Sequence, residues 1–329
     1  MRWAKTSERN YKLFPVEHSK LPNMVQPGDL IGHITAEASA LTGIAQGTPV
    51  IAAGSDKGCE TIGMGVTDTS MVSLSFGTTA TIQTTTKKYM EPLAFMPAYP
   101  APIKGHYNPE VEIFRGYWMI TWFKNEFGQK EIQRAEQAGV PPEEILNELL
   151  REVPAGSMGL MVQPYWSPGL KFPNAKGAMI GFGDVHKRAH VYKAVIEGLG
   201  YGLYDGLLKI EKVSGKKVLK AAVSGGAAQS DEICKITADI FNIPMVRGKT
   251  FETTGLGAAI ITAAGLGIYP NLDQAVKNMV SYEQTFMPDP ENHLLYSKLY
   301  NSVYRKIFPS LTKLYSEIRD ITGYPEKPE

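Results

Sequence analysis

The feature that most narrows the fold is a junction that recurs along the chain, in which a short apolar run meets a glycine-marked turn and then a helix signal. Residues 218–223 form such a run, which ends on Ser224-Gly225-Gly226-Ala227-Ala228-Gln229-Ser230 before a helix pattern starts at Asp231. Residues 50–53 do the same, meeting Gly54-Ser55 with Asp56 standing where a helix begins. A run too short for a helix, followed at once by small turn residues, reads as strand, tight turn and helix N-terminus. Units that alternate in this way point to an α/β class. The 329 residues suit two domains at ~150 residues each.

The rest of the chain fits that pattern. Thr35 caps a short helix that Gly43 stops, and residues 70–84 read as two β-branched strands joined at Gly77. Residues 87–109 are rich in proline and tyrosine and read as irregular excursions with short strands. A helix from Gly116 through Phe127 leads into polar helical segments up to Arg151, then short strands and loops up to Gly183. A long helix is expected over 186–211, another over 231–241, a strand at Met245-Val246 and a small-residue helix over 255–265. The tail places Leu295, Leu299, Val303 and Ile307 at helical spacing.

Charge and cysteine usage exclude several classes. Thirty-four Lys and Arg against 33 Asp and Glu leave a net charge of +1, which argues against a nucleic-acid groove or an acidic-membrane surface. Cys59 and Cys234 are the only cysteines. No disulfide framework or thiolate zinc site follows, and the natural compartment is a reducing, cytoplasmic one. No apolar run reaches the ~18 residues that span a bilayer, and the first ten residues lack the apolar core of a signal peptide.

Three loops could carry chemistry. A glycine at the Gly77-Thr78-Thr79 turn would let backbone N–H groups approach an anion, with the threonine hydroxyls as further donors. Taken alone, it is better read as an ordinary hairpin. The Gly225-Gly226 pair could let a ligand sit on the backbone at a helix N-terminus, or could merely turn the chain. It matches neither the Rossmann nor the P-loop fingerprint. Asp56 could orient a substrate hydroxyl and accept its proton, though an isolated aspartate there is more simply an N-cap. His186 and His190 have metal-ligand spacing but no third partner, so they read as a solvated helix face. Trp118, Trp122 and Phe123 share a helix and read as core.

The order and spacing of these loops are more specific than any one of them. Gly54-Ser55-Asp56, the Gly77 hairpin, Gly116 with Trp122, residues 173–177, Ala194 to Gly198, Ser224-Gly225-Gly226 and Gly255-Leu256-Gly257 together resemble the FGGY family of carbohydrate kinases. The match runs from about Leu21 to Tyr269, with a family-like segment at 286–291. The resemblance implies an actin-like, ribonuclease-H-type fold of two lobes closing on ATP with Mg²⁺. It implies that Asp56 is the catalytic base and that Gly77, Thr78 and Thr79 form the phosphate hairpin. It further implies that Gly116 contacts the nucleotide and that Gly225, Gly226 and Ser230 form the adenosine loop. No residue is assigned as a metal ligand.

Two departures qualify the resemblance. The D-x-G-T hairpin with which such kinases open does not precede Asp56, so residues 1–70 are expected to be the trailing segment of a truncated sugar-binding lobe and residues 71–329 the ATP-binding lobe. Lys57, directly after the base, is unusual there and reads as a solvated lysine on the first helical turn. The expectation is therefore a lobe of an ATP-dependent kinase acting on a ketose, polyol or sugar acid, with little activity alone. It would self-associate or demand a complementary N-terminal lobe, because strand edges and apolar groups over 35–65 would lie exposed. The alternative is a non-catalytic nucleotide-binding or interaction module.

Overall fold

The computed structural model describes residues 2–94, 96–167 and 174–324. Pro173, the first residue of the 173–177 block, therefore lies outside the described residues. The chain opens with a short helix, α1 (Arg9–Leu13), and with β1 (Leu30–His33), α2 (Ala36–Thr42) and β2 (Pro49–Ile51). β1 and β2 pair antiparallel. Thr35 caps α2 by accepting the Ala38 N–H at 3.1 Å, and Gly43 ends it at φ +76°. Next come α3 (Asp56–Gly63), the hairpin of β3 (Met71–Phe76) and β4 (Ala80–Gln83), a ribbon of β5 (Tyr99–Pro100) with β6 (Tyr107–Asn108), and β7 (Glu110–Ile113).

Three helices follow: α4 (Trp118–Phe127), α5 (Gln129–Ala138) and α6 (Pro142–Glu152). A ribbon of β8 (Met161–Gln163) and β9 (Ala178–Ile180) leads to α7 (Arg188–Ser214), β10 (Lys220–Ser224) and α8 (Asp231–Phe241). The chain ends with β11 (Met245–Gly248), α9 (Thr253–Gly265), α10 (Leu272–Met279), β12 (Tyr282–Phe286), α11 (Pro290–Leu299) and α12 (Arg305–Thr322). The elements that the sequence reading named are present to within a few residues, whereas α1, β1, β7, α10 and β12 were not among them.

One six-stranded mixed sheet organises the chain, in the order β12-β11-β10-β3-β4-β7. β10 is parallel to β3 and β11, and the remaining pairs are antiparallel. Its two faces differ because side chains alternate along a strand. Val72, Leu74, Phe76, Ala80, Ile82, Val111, Ile113 and Val223 face the main core, where α7 and α8 pack. The other face is polar. In register across it lie Glu112, Thr81, Ser75 and Ser224, and beside them Glu110, Gln83 and Ser73. α3 covers this face, and Thr61 donates to Gln83 Oε1 at 2.6 Å.

The tail corrects one expectation. Leu295 and Val303 lie 39% and 37% exposed, whereas Tyr296, Tyr300, Tyr304 and Ile307 are buried. The packed stripe thus runs one position past the aliphatic spacing at Tyr296, Tyr300 and Tyr304 and rejoins it at Ile307, with Leu299 packed partly against the core. Tyr201 of α7 meets Tyr296, Tyr300 and Tyr304 at centroid distances of 6.0, 6.1 and 5.0 Å. Aromatic rings bury more area than leucine, and the hydroxyls of the three tail tyrosines find partners. Tyr296 donates to buried Glu197 at 2.8 Å and Tyr300 to Asp205 at 3.0 Å.

Candidate functional site

The ends of β3 and β10 lie side by side, so the two loops that follow them converge. Gly77 and Thr78 from the hairpin, and Gly226, Ala227, Gln229 and Ser230 from the loop after β10, line one cleft of about 800 Å³. Its far wall comes from Trp118 and Thr121 of α4 and from Glu143, Glu144 and Asn147 of α6. Its floor includes Phe76, Tyr117 and Tyr192, with the Phe76 and Tyr117 rings 4.5 Å apart. An apolar floor with a glycine-lined polar rim is the usual character of a small-molecule site.

The glycines have separable roles. Gly225 holds φ +89°, and a Cβ there would lie 2.8 Å from the Phe76 carbonyl carbon, so it lets the two strand ends touch. Gly226 has nothing within 4 Å of its Cβ position. Its open side belongs to the cleft. Gly116 packs beneath the hairpin, where a Cβ would come 2.2 Å from the Ala80 nitrogen. The next residue, Tyr117, donates its N–H to the Gly77 carbonyl at 3.1 Å and ties α4 to the turn. Thr79, Gly116 and Gly225 adjoin the cleft, while Gly77, Thr78, Gly226 and Ser230 line it.

Ser230 is buried, and its hydroxyl is fully engaged. It accepts the Ile233 N–H as the cap of α8 and donates to Asn147 Oδ1 at 2.7 Å. Arg247 of β11 braces the same loop by donating to the Ala228 and Gln229 carbonyls, each at 3.2 Å, and to Asp231 at 2.8 Å. Glu143 is held by Lys124 at 2.6 Å. Asn147, Glu143 and Trp118 were not legible as site residues. They sit on ordinary helix surfaces and reach the cleft only through the packing of α4 and α6.

Asp56 stands exposed on the first turn of α3. The cap of that helix is Ser55, whose hydroxyl accepts the Gly58 N–H at 3.1 Å, so Asp56 is not the N-cap. Lys57 is not a freely solvated lysine either. Its ammonium donates to Glu60 Oε2 at 2.9 Å and to Ser75 Oγ at 3.3 Å, which draws the first turn of α3 to the strand before Gly77. The polar sheet face beneath carries two acids, and burial pushes Glu110 up to about 7 and raises Glu112. His186 and His190 stand edge to face, 5.4 Å between ring centres, in the turn that opens α7. His190 Nδ1 accepts the Lys187 N–H there. Trp118 corrects a second reading, since it forms cleft wall as well as core. Among the described residues no cluster of three or more His, Cys, Asp or Glu is arranged to hold a metal ion. No helix among them is long and apolar enough to cross a membrane.

The sequence from 72 to 266 matches the model of the FGGY family of carbohydrate kinases, C-terminal domain. The chain belongs to this family. A sugar kinase of Escherichia coli strain K12, YgcE, is 32% identical over 304 residues, spanning 91% of this chain and 60% of that protein. The crystal structure of ligand-bound xylulose kinase from Lactobacillus acidophilus superposes with a TM-score of 0.81 at 26% identity, covering 94% of this chain and 62% of that one. Gluconate kinase from the same organism gives 0.82 at 26% identity, covering 94% and 61%. The chain therefore spans about three fifths of the length of these relatives. Its fold is the actin-like, ribonuclease-H-type α/β fold of FGGY kinases.

Proposed function

We propose that this chain supplies the nucleotide cleft and the catalytic aspartate for ATP-dependent phosphorylation of a hydroxyl on a ketose, polyol or sugar acid. The observation that carries the reading is the convergence of Gly77, Thr78, Gly226 and Ser230, from blocks about 150 residues apart, on one cleft of suitable size. The open side of Gly226 fits a ligand laid directly on the backbone. Gly77 and Thr78 would face the phosphates with backbone N–H groups and a hydroxyl, while Thr79, Gly116 and Gly225 hold the shape of the turns. Ser230 would act by fixing Asn147 on the wall.

Transfer breaks the bond between the γ-phosphorus and the ADP oxygen and forms one to the sugar oxygen. The sugar hydroxyl gives up its proton, and Asp56 is the group we assign to orient that hydroxyl and take the proton. The charge that develops is stabilised by groups already in place. Mg²⁺ would enter with the nucleotide and neutralise phosphate charge. It commonly binds through phosphate oxygens rather than a dedicated protein cage.

We further propose that residues 1–70 are the trailing segment of the sugar-binding lobe and 71–329 the ATP-binding lobe. Leu30, Ile31, Leu41 and Ile44 are exposed on the first segment, which supports a complementary lobe or a second copy covering it. Calorimetry with ADP and ATP tests the cleft, and coupled ADP release over a panel of ketoses, polyols and sugar acids tests the chemistry. Saturable nucleotide binding is expected, with slow turnover by the chain alone and faster turnover once an N-terminal lobe from a relative is supplied. No binding at millimolar nucleotide would overturn the assignment of the cleft.

A further inference from the structure

The two ends of α3 are held by different forces. Its C-terminal half is locked to α9, where a Cβ on Gly63 would lie 1.9 Å from the Thr253 carbonyl oxygen. Its first turn, which carries Asp56, touches α9 at the Cys59 carbonyl and Pro102 at Gly58, and polar groups tie it to the sheet. Lys57 Nζ donates to Glu60 Oε2 at 2.9 Å and to Ser75 Oγ at 3.3 Å, and the other Glu60 oxygen accepts the Ser224 hydroxyl at 2.6 Å. Ser75 lies two residues before Gly77, and Ser224 lies directly before Gly225. One carboxylate and its counter-ion therefore reach both strands that lead into the two cleft loops.

We infer that Glu60, with Lys57 as its partner, is a positioning residue that couples occupation of the cleft to the first turn of α3 and so to the Asp56 carboxylate. The inference rests on the nucleotide reading given above. The fold does not require the cluster, because the backbone crossing with α9 already anchors the helix. The side chains of Glu60 and Lys57 are 12% and 34% exposed, and well-packed apolar residues often serve stability as well as an ion pair this buried. Apolar residues would not supply two directional bonds to two different strands. Asp56 beside Lys57, Glu60 on its own helix, and Glu110 and Glu112 from β7 are the charges around the ammonium. A ligand that stiffens the Gly77 and Gly225 turns fixes the Ser75 and Ser224 hydroxyls, and through them the helix turn.

Amide hydrogen exchange over residues 55–61 of the full chain, with and without saturating ADP, tests this. In the wild type, ADP should slow exchange there several-fold. Glu60→Ala should remove that ADP-dependent difference while ADP still binds, Glu60→Gln should weaken it, and Lys57→Arg should keep most of it. A purely structural role would instead change exchange equally in the free and bound protein. The same ADP-dependent protection in Glu60→Ala and wild type would overturn the inference, as would no protection of α3 in wild type saturated with ADP. Failure of the wild type to bind ADP would overturn the cleft assignment itself, and the coupling with it.

Discussion

A Cβ placed on Gly257 of α9 would lie 1.9 Å from the carbonyl oxygen of Cys59 in α3. Gly63 stands in the same relation to Thr253, so the helices meet backbone to backbone at two points. Within the Gly255-Leu256-Gly257 block, Gly257 thus has a packing cause, since only a residue without a side chain allows this approach. The crossing sets the position of the helix that carries Asp56.

Gly257→Ala must force the helices apart and is expected to cost about 1–3 kcal/mol or more, as overpacking does. Gly255 lies on the same helix with nothing within 4 Å of its Cβ position, so Gly255→Ala should gain up to about 1 kcal/mol from helix propensity. Urea melts of the two variants check this. Equal midpoints would show that the crossing relaxes freely.

The adjacent loop glycines should separate ligand binding from folding. Gly226→Val puts a branched side chain into open cleft space and should abolish ADP binding with little change in melting temperature. Gly225→Ala meets strained backbone and the Phe76 carbonyl group, and should lower stability by about 1–3 kcal/mol. Calorimetry and thermal melts on both variants give the comparison. Unchanged ADP affinity in Gly226→Val would place the nucleotide elsewhere.

Asp56→Asn should leave stability nearly intact, because Ser55 provides the cap. Removing that cap by Ser55→Ala should cost about 1 kcal/mol. In an active assembly with a sugar-binding lobe, Asp56→Asn should lower the phosphorylation rate by about 10²–10⁴. A variant with normal turnover would refute the role of base.

Glu110 gives a pH signature. Burial raises it from 4.5 to about 7, so across that interval the folded chain keeps a proton that the unfolded chain has lost. Stability from this group is full below pH 4.5 and falls as pH rises towards 7, by on the order of 3 kcal/mol. Glu110→Gln removes the titration, and it should melt higher than wild type at pH 8 and equally at pH 4.5. A difference independent of pH would mean that Glu110 stays ionised in the folded state.

The tail tests which stripe packs. Tyr304→Ala should cost about 3–5 kcal/mol, whereas Val303→Ala should stay within about 0.5 kcal/mol. Comparable losses in the two variants would restore the aliphatic stripe.

Much of the fold was legible because its signals are local. Thr35 and Gly43 mark helix ends through bonds within a few residues, a β-branched stretch marks β3 and β4, and a short apolar run marks β10. Apart from the cap of α3, where Ser55 rather than Asp56 accepts the Gly58 N–H, the misreadings share one cause, which is that the deciding partner is distant in sequence. Val303 and Tyr304 are both plausible core residues until Tyr201, about 100 positions earlier, is placed against the tail. Lys57 looks solvated until β3 brings Ser75 to its ammonium. Asn147 is an ordinary helix residue until α6 packs beside the loop that ends at Ser230.

The sequence by itself determined the α/β class, the places where strands hand over to helices, and the order of glycine-bearing blocks that marks the family. These depend on backbone preferences and short-range hydrogen bonds, which composition and spacing record directly. Tertiary structure alone decided that Gly77 and Gly226 share a cleft and that Gly225 and Gly116 serve packing. It also decided that Glu60 joins the helix of Asp56 to both loops. Those outcomes rest on parallel pairing of β3 with β10 and on the crossing of α3 with α9. Such pairings are chosen by burial summed over the whole sheet, to which no short segment holds the key.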